Sequence, residues 1–441
     1  MSIRLVPHTL PAVALLAVLP VFAQPADGDE RWNAHVQTTY VRQLKPAFSS
    51  PYEGANSLRG VSEASYSATA TASFGWRPWR GTELYFDPEA AQGVPFSGLL
   101  GLAGFPNGEL AKTSGSHPTF YRARLFVRQT FALGGDTDAV ASAAHQLAGR
   151  VARRRIVVTA GNLSVLDLFD ANAYAHDPRT QFLNWALMTH AAYDYPADSR
   201  GYSTGAAVEY FDDGWSLRAA RFQVPREPNQ LRLDTRLGRH YGDQVELARD
   251  YRWGMQSGTA RLLAFRLRAV MARYDDALAL AGQNGDVPTL GPARTTEQSK
   301  AGVGVAFEHR LTPDVGLFAR WMRADGKTET YAFTEVDRSV SAGVSVGGAA
   351  WRRSGDRLGL AMAESALSKA HRAFLSQGGT TFFLGDGRLR YRPEQIIEAY
   401  YSAALFEGAA LTADWQHLRH PGYNADRGPV NVYGFRFHLE L

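Results

Sequence analysis

Apolar and polar residues alternate with a period of two through segment after segment of this sequence. At the C-terminus, Tyr433, Phe435, Phe437, Leu439 and Leu441 share one parity, and Val432, Gly434, Arg436, His438 and Glu440 share the other. Successive side chains of a strand point to opposite faces, so this pattern predicts a strand with one apolar and one mostly polar side. Between Phe120 and Phe131, Tyr121, Ala123, Leu125 and Val127 oppose Arg122, Arg124, Phe126 and Arg128. Between Leu263 and Met271, Leu263, Phe265, Leu267 and Ala269 oppose Ala264, Arg266, Arg268 and Val270. Sixteen such segments are expected, near 33–42, 66–76, 81–87, 119–132, 151–160, 202–211, 215–223, 243–252, 259–273, 301–310, 315–323, 337–348, 357–363, 394–405, 409–418 and 430–441.

Soluble β-proteins alternate too, and the connections decide between the two classes. Short links such as Asp212-Asp213-Gly214, Thr312-Pro313-Asp314, Ser354-Gly355-Asp356 and Glu407-Gly408 have turn chemistry. They alternate with long links near 43–65, 88–118, 161–201, 224–242, 275–299 and 364–392. Outer-membrane barrels have this asymmetry, with short periplasmic turns and long extracellular loops. The expected fold is all-β, a transmembrane antiparallel barrel of about sixteen strands. One short-side link, 133–150, is too long for a turn and is expected to carry a small helix.

The N-terminus agrees with export to the outer membrane. Arg4 precedes an apolar stretch from Pro11 to Val21, and Val21-Phe22-Ala23 has the small-residue form of a cleavage site. Residues 1–23 read as a signal peptide, and 24–441 as one barrel domain with inward-folding loops at 88–118 and 161–201. No later stretch holds eighteen apolar residues, so no transmembrane helix is expected. Cysteine is absent, which excludes disulfides and thiolate chemistry. The net charge of +4 is mild and gives no case for nucleic-acid binding.

Energetics assigns the faces. A cationic side chain on the lipid face near the midplane costs about 2–4 kcal/mol. On that ground Arg122, Arg124, Arg128, Arg153, Arg155, Glu209, Arg218, Arg266 and Arg268 are expected in the lumen, together with Arg320, Arg436 and Glu440. Arg154 has the lipid parity and is expected to snorkel to headgroups. A barrel of sixteen strands is wide enough for an aqueous channel.

Enzyme motifs are weak. Gly201-Tyr202-Ser203-Thr204-Gly205 matches a nucleophile elbow, but a strand follows it where a helix is needed. His417 and His420 lack further metal ligands at usable spacing. No catalytic residue, metal or cofactor is expected. The loop from Gly161 to Asn184 is too rich in aromatic and apolar residues to be a disordered linker. It presents Asp170, His176, Asp177 and Arg179, either as a constriction or as an internal network that pins the loop.

Several stretches resemble the carbohydrate-selective porin family of the OprB type. They run in order from Gln43 to Tyr52, Glu83 to Glu89, Asn172 to Gln181, Leu367 to Phe374, Gly385 to Leu389 and Tyr423 to Val430. The resemblance implies a sixteen-strand homotrimer in outer-membrane lipid that passes small sugars passively. It also implies a constriction shaped by inward loops, where Arg and acidic side chains hydrogen-bond sugar hydroxyls. Glu83, Arg122, Arg124, Asp177 and Arg179 match best. Such barrels usually end in an aromatic residue, whereas this chain ends in Leu441. The Arg-rich stretches at 122–128, 153–155 and 266–268 leave an alternative, a basic lumen for anionic solutes such as sugar acids, and general diffusion is another.

Overall fold

The computed structural model describes residues 29–441, so the signal-peptide reading lies outside the described residues. The strands are Trp32–Lys45 (β1), Glu63–Trp79 (β2), Thr82–Val94 (β3), Thr119–Ala132 (β4), Thr137–Val140 (β5), Gly149–Ala152 (β6), Arg155–Leu163 (β7), Ser203–Asp212 (β8) and Trp215–Phe222 (β9). They continue with Tyr241–Trp253 (β10), Gln256–Val270 (β11), Glu297–Arg310 (β12), Val315–Ala324 (β13), Arg338–Gly347 (β14), Arg357–Ala366 (β15), Glu394–Phe406 (β16), Ala409–Arg419 (β17) and Val430–Glu440 (β18).

Sixteen of these strands form one closed antiparallel barrel. β1 closes it by pairing with both β2 and β18, with Thr38 opposite Ala70 on one side and Leu439 on the other. Closure leaves no edge, so every wall strand has a neighbour on both sides. Short turns join strands at one rim. Asp213 and Gly214 both have positive φ, 42° and 78°, which gives a tight hairpin the twist it needs. The remaining pair, β5 and β6, forms a small hairpin with Thr137 opposite Ala152. It occupies the 133–150 link where a helix was expected. Its short strands pair with each other, so the link meets its backbone hydrogen bonds by folding back on itself.

Strand β3 is longer than the sequence pattern indicated, running through Asp87-Pro88-Glu89 to Val94. Pro88 and Glu89 read as loop, but they follow directly on the point where the register slips. Asp87 pairs with Arg124 and Pro88 with Arg122, so Ala123 is an extra residue on β4.

The apolar core lies inside the barrel and is built largely from loops. Trp185 stacks on Phe333 with ring centroids 5.5 Å apart, and Phe105 meets Trp185 at 5.2 Å. The strands behind this core present Leu263, Phe265, Leu267, Phe318 and Ile396, all buried. A loop held within a barrel must satisfy its own amides. Carboxylates on the wall do this. Glu246 accepts from the Asp170 N–H, Glu398 from Leu183 and Asn184, and Glu394 from Ala103, Gly104 and Gly422. Arginines satisfy the carbonyls. Arg320 donates to Leu187 O at 3.0 Å and Ala175 O at 2.6 Å, and Arg436 donates to Pro178 O and Gln181 O.

Arg320 and Asp170 form an ion pair at 3.0 Å with both side chains 1% exposed. Removing one partner of such a buried pair costs about 3–5 kcal/mol. Arg320→Met is therefore expected to lower the urea midpoint of the folded barrel and to make single-channel current noisier. Unfolding in detergent and planar-bilayer recording check both.

Candidate functional site

The loop core fills one side of the lumen, and a passage remains along the β1–β4 wall. It widens into a cavity of about 390 Å³ lined by residues including Gln37, Asp87, Arg124, Asp167 and Asp177. A smaller space of about 130 Å³ lies on the long-loop side, lined by residues including Glu89, Lys112, Tyr121 and Trp185. Glu109, Arg179, Tyr195, Arg200 and Tyr202 border both spaces, so the narrowing lies there.

Each side chain at the narrowing is held by a neighbour. Glu89 on β3 accepts from Tyr121 at 2.5 Å, Thr71 at 2.7 Å and Tyr202 at 3.3 Å. Arg179, from the loop, reaches Glu89 at 3.4 Å and Glu109 at 3.0 Å. Burial alone would lower the Arg179 pKa, but Glu109 and Glu89 hold it above the ordinary value. Arg124 on β4 forms a fork with Asp167, both contacts at 2.7 Å, and touches Asp87 at 3.3 Å. His145, at the tip of the β5–β6 hairpin, meets the same Asp87 Oδ2 at 2.5 Å. Tyr121 and Tyr202 stand with ring centroids 6.2 Å apart. The Arg200 guanidinium lies 4.3 Å over Tyr121, and that of Arg124 lies 5.3 Å over Tyr202. Among the described residues, Arg200 Nε has no partner. The narrowing thus offers both signs of charge, free donors and two tyrosine rings.

The expected site residues divide. Arg124 and Arg179 stand in the narrowing. Asp177 borders the cavity and accepts from the Arg179 N–H and the Thr180 hydroxyl, which shapes the turn that presents Arg179. Glu83 and Arg128 face inward nearer the short-turn rim. Arg77 lies 2.9 Å from Glu83, and Arg128 donates to His145 O at 2.8 Å. Glu209 and Arg218 face inward but behind the loops, where Arg218 bridges Glu209 and Glu246 at 2.8 and 2.9 Å. Arg155 covers the Phe211 ring at 3.9 Å near the short-turn rim.

Four expectations are corrected. Arg153 stands in the turn-side hairpin region, half exposed and paired with Asp138 at 2.8 Å. Arg122 is turned outward, because the extra residue Ala123 reverses parity within β4 and brings Tyr121 inward. Arg266 and Arg268 also face outward, since Leu263, Phe265 and Leu267 of the same strand are buried against the loop core. Both lie at the long-loop end of β11, where the cost of an outward cation falls to about 0–1 kcal/mol.

The sequence reading missed Glu89, Glu109, Tyr121, Arg200, Tyr202 and His145. Glu89 had a signal, since Glu83, Asp87 and Glu89 share one parity. The enzyme-like motifs do not assemble. Ser203 donates to Gln223 O at 2.7 Å, while His417 meets Asn431 and His420 meets Pro393 O.

Lys112 borders the smaller space and donates to Asn229 Oδ1 at 2.5 Å and Ala332 O at 2.6 Å. Its burial among Trp185, Phe382 and Phe383 brings its pKa down to about 7, with Asp194, Glu335 and Asp198 opposing the fall. The charge is present below that pH and is lost above it. Cation preference of the pore is therefore expected to rise as pH goes from 6 to 8, and Lys112→Met to abolish the change in reversal potential.

The family model for "carbohydrate-selective porin, OprB family" matches residues 74–441. Among solved structures, OprB of Pseudomonas putida is similar with a TM-score of 0.72 at 14% identity, over 93% of this chain and 94% of that one. The outer-membrane channel DcaP of Acinetobacter baumannii is similar with a TM-score of 0.53 at 8% identity, over 95% and 99%. No curated protein sequence matches. At these identities the structures speak to the fold alone, whereas the family match spans most of the sequence. The chain belongs to the OprB family of carbohydrate-selective porins.

Proposed function

We propose that this outer-membrane porin passes small neutral sugars of the monosaccharide class by passive diffusion into the periplasm. The observation that carries the reading is the narrowing itself, where Arg124, Arg179, Arg200, Glu89 and Glu109 stand beside the faces of Tyr121 and Tyr202. A pyranose has hydroxyls that both donate and accept around its edge, and arginines with carboxylates supply both partners. Its C–H face packs on an aromatic ring. Balanced charge at the narrowing favours a neutral polyhydroxylated solute over strong anion capture, and weak, paired contacts let it leave. The basic-lumen alternative loses its support, because Arg122, Arg266 and Arg268 face outward and Arg153 lies in the hairpin region. We also infer that residues 1–23 direct export and that the protein works as a homotrimer, which native mass spectrometry tests.

Liposome swelling is the direct test. Neutral monosaccharides are expected to enter several times faster than amino acids of similar size, with disaccharides and sugar acids slower. Equal rates for all small solutes would reduce the protein to a general pore. In Tyr121→Ala/Tyr202→Ala the preference for sugars over amino acids is expected to fall while ion conductance rises.

A further inference from the structure

The outward arginines are not explained by transport. Arg221, Arg266, Arg268, Arg323 and Arg338 all point away from the lumen at the long-loop ends of β9, β11, β13 and β14. Their parity is set by buried neighbours, Phe222, Leu267, Met322 and Ser339. Arg323 and Arg338 pair directly across β13 and β14. Like charges directly opposed destabilise a sheet unless an anion lies between them. Among the described residues, neither has an ion-pair partner. Glu364, diagonal to Arg338 on β15, accepts from Gln395 at 2.8 Å, and Asp325, just past β13, accepts from the Ala301 and Lys327 N–H groups at 3.2 Å.

Two acids offset part of the charge. Asp243 holds Arg221 at 2.7 Å, and Glu297 holds Arg268 at 2.9 Å. Between the arginines of β11 and β13, strand β12 turns Ser299, Ala301 and Val303 outward. These small side chains form the floor of a trough with cationic walls. β9 to β14 spans roughly 24 Å, at about 4.8 Å for each strand step. Toward the midplane, Leu262, Trp321 and Val340 are exposed on the same face. Cations therefore lie above an apolar wall, at the level of the outer-leaflet headgroups.

We propose that this trough docks a phosphate-bearing glycolipid of the outer leaflet. Arg323 and Arg338 share one phosphate, Arg266 reaches a second anionic group, and acyl chains cover Leu262, Trp321 and Val340. Charge complementarity favours this anionic occupant at a headgroup-level cluster of arginines. The proposal depends on the outer-membrane placement and not on which solute the channel passes.

The test is native mass spectrometry of the full barrel in micelles, titrated with bisphosphorylated lipid A, its dephosphorylated form and inorganic phosphate. Heat-modifiable migration confirms that each variant is folded. The wild type is expected to hold bisphosphorylated lipid A, and Arg323→Gln/Arg338→Gln to weaken it by about thirtyfold, at roughly fivefold per arginine near a charged lipid surface. Arg266→Gln/Arg268→Gln gives the same reading if the first variant does not fold. Arg249→Gln, at the opposite rim over Trp215, is expected to change nothing. Equal binding in wild type and variant would overturn the proposal. So would displacement of the lipid by millimolar inorganic phosphate, which marks a free-anion site. Self-association in lipid-free micelles that is lost in the variant would give the trough to a second copy and likewise overturn it.

Discussion

A polypeptide crossing a bilayer has to satisfy every backbone N–H and C=O from within, because hydrocarbon supplies no partner. The pairing of β1 with β18 meets that demand by removing the last two edges of the sheet. Everything else follows from the closed ring. Side chains alternate between lipid and lumen, loops leave the wall at only two rims, and the lumen becomes the one place where a long loop can fold.

The same demand returns inside the barrel. Loops brought into the lumen carry amides and carbonyls that water no longer serves. Wall acids and arginines take that role, as Glu246, Glu394, Glu398, Arg320 and Arg436 do. A lumen charge is thus often an anchor before it is a filter. This divides the wall. Behind the loop core the inward residues include Leu263, Phe265 and Phe318, while along β1 to β4 they are mostly polar and several line the passage. The narrowing forms where Arg179 from the loop meets Glu89 from the wall.

Depth in the membrane governs what an outward charge costs. The midplane figure sends arginines inward, but it does not apply at strand ends beside headgroups. Arg266, Arg268, Arg323 and Arg338 sit at such ends, in reach of lipid anions. One residue of bulge has a comparable effect, since the extra Ala123 exchanges the faces of Tyr121 and Arg122.

The period of two, the strand number and the inequality of the two rims were legible in the amino-acid order, because alternation and turn chemistry are local. Resemblance over many stretches pointed to the family for the same reason, since motifs such as Asn172 to Gln181 are contiguous. Arg124 and Arg179 could be named as candidates, because their charge and parity were visible without a partner. What the order of residues left open was which polar face meets solute. Parity alone called Arg266 and Arg268 inward, and only the apolar loop core packed against Leu263 and Phe265 reverses that assignment. Glu89, Glu109, Tyr121 and Tyr202 come from separate strands and loops, and folding brings them within a few ångströms. Their contacts are long-range, so tertiary structure alone decided the narrowing.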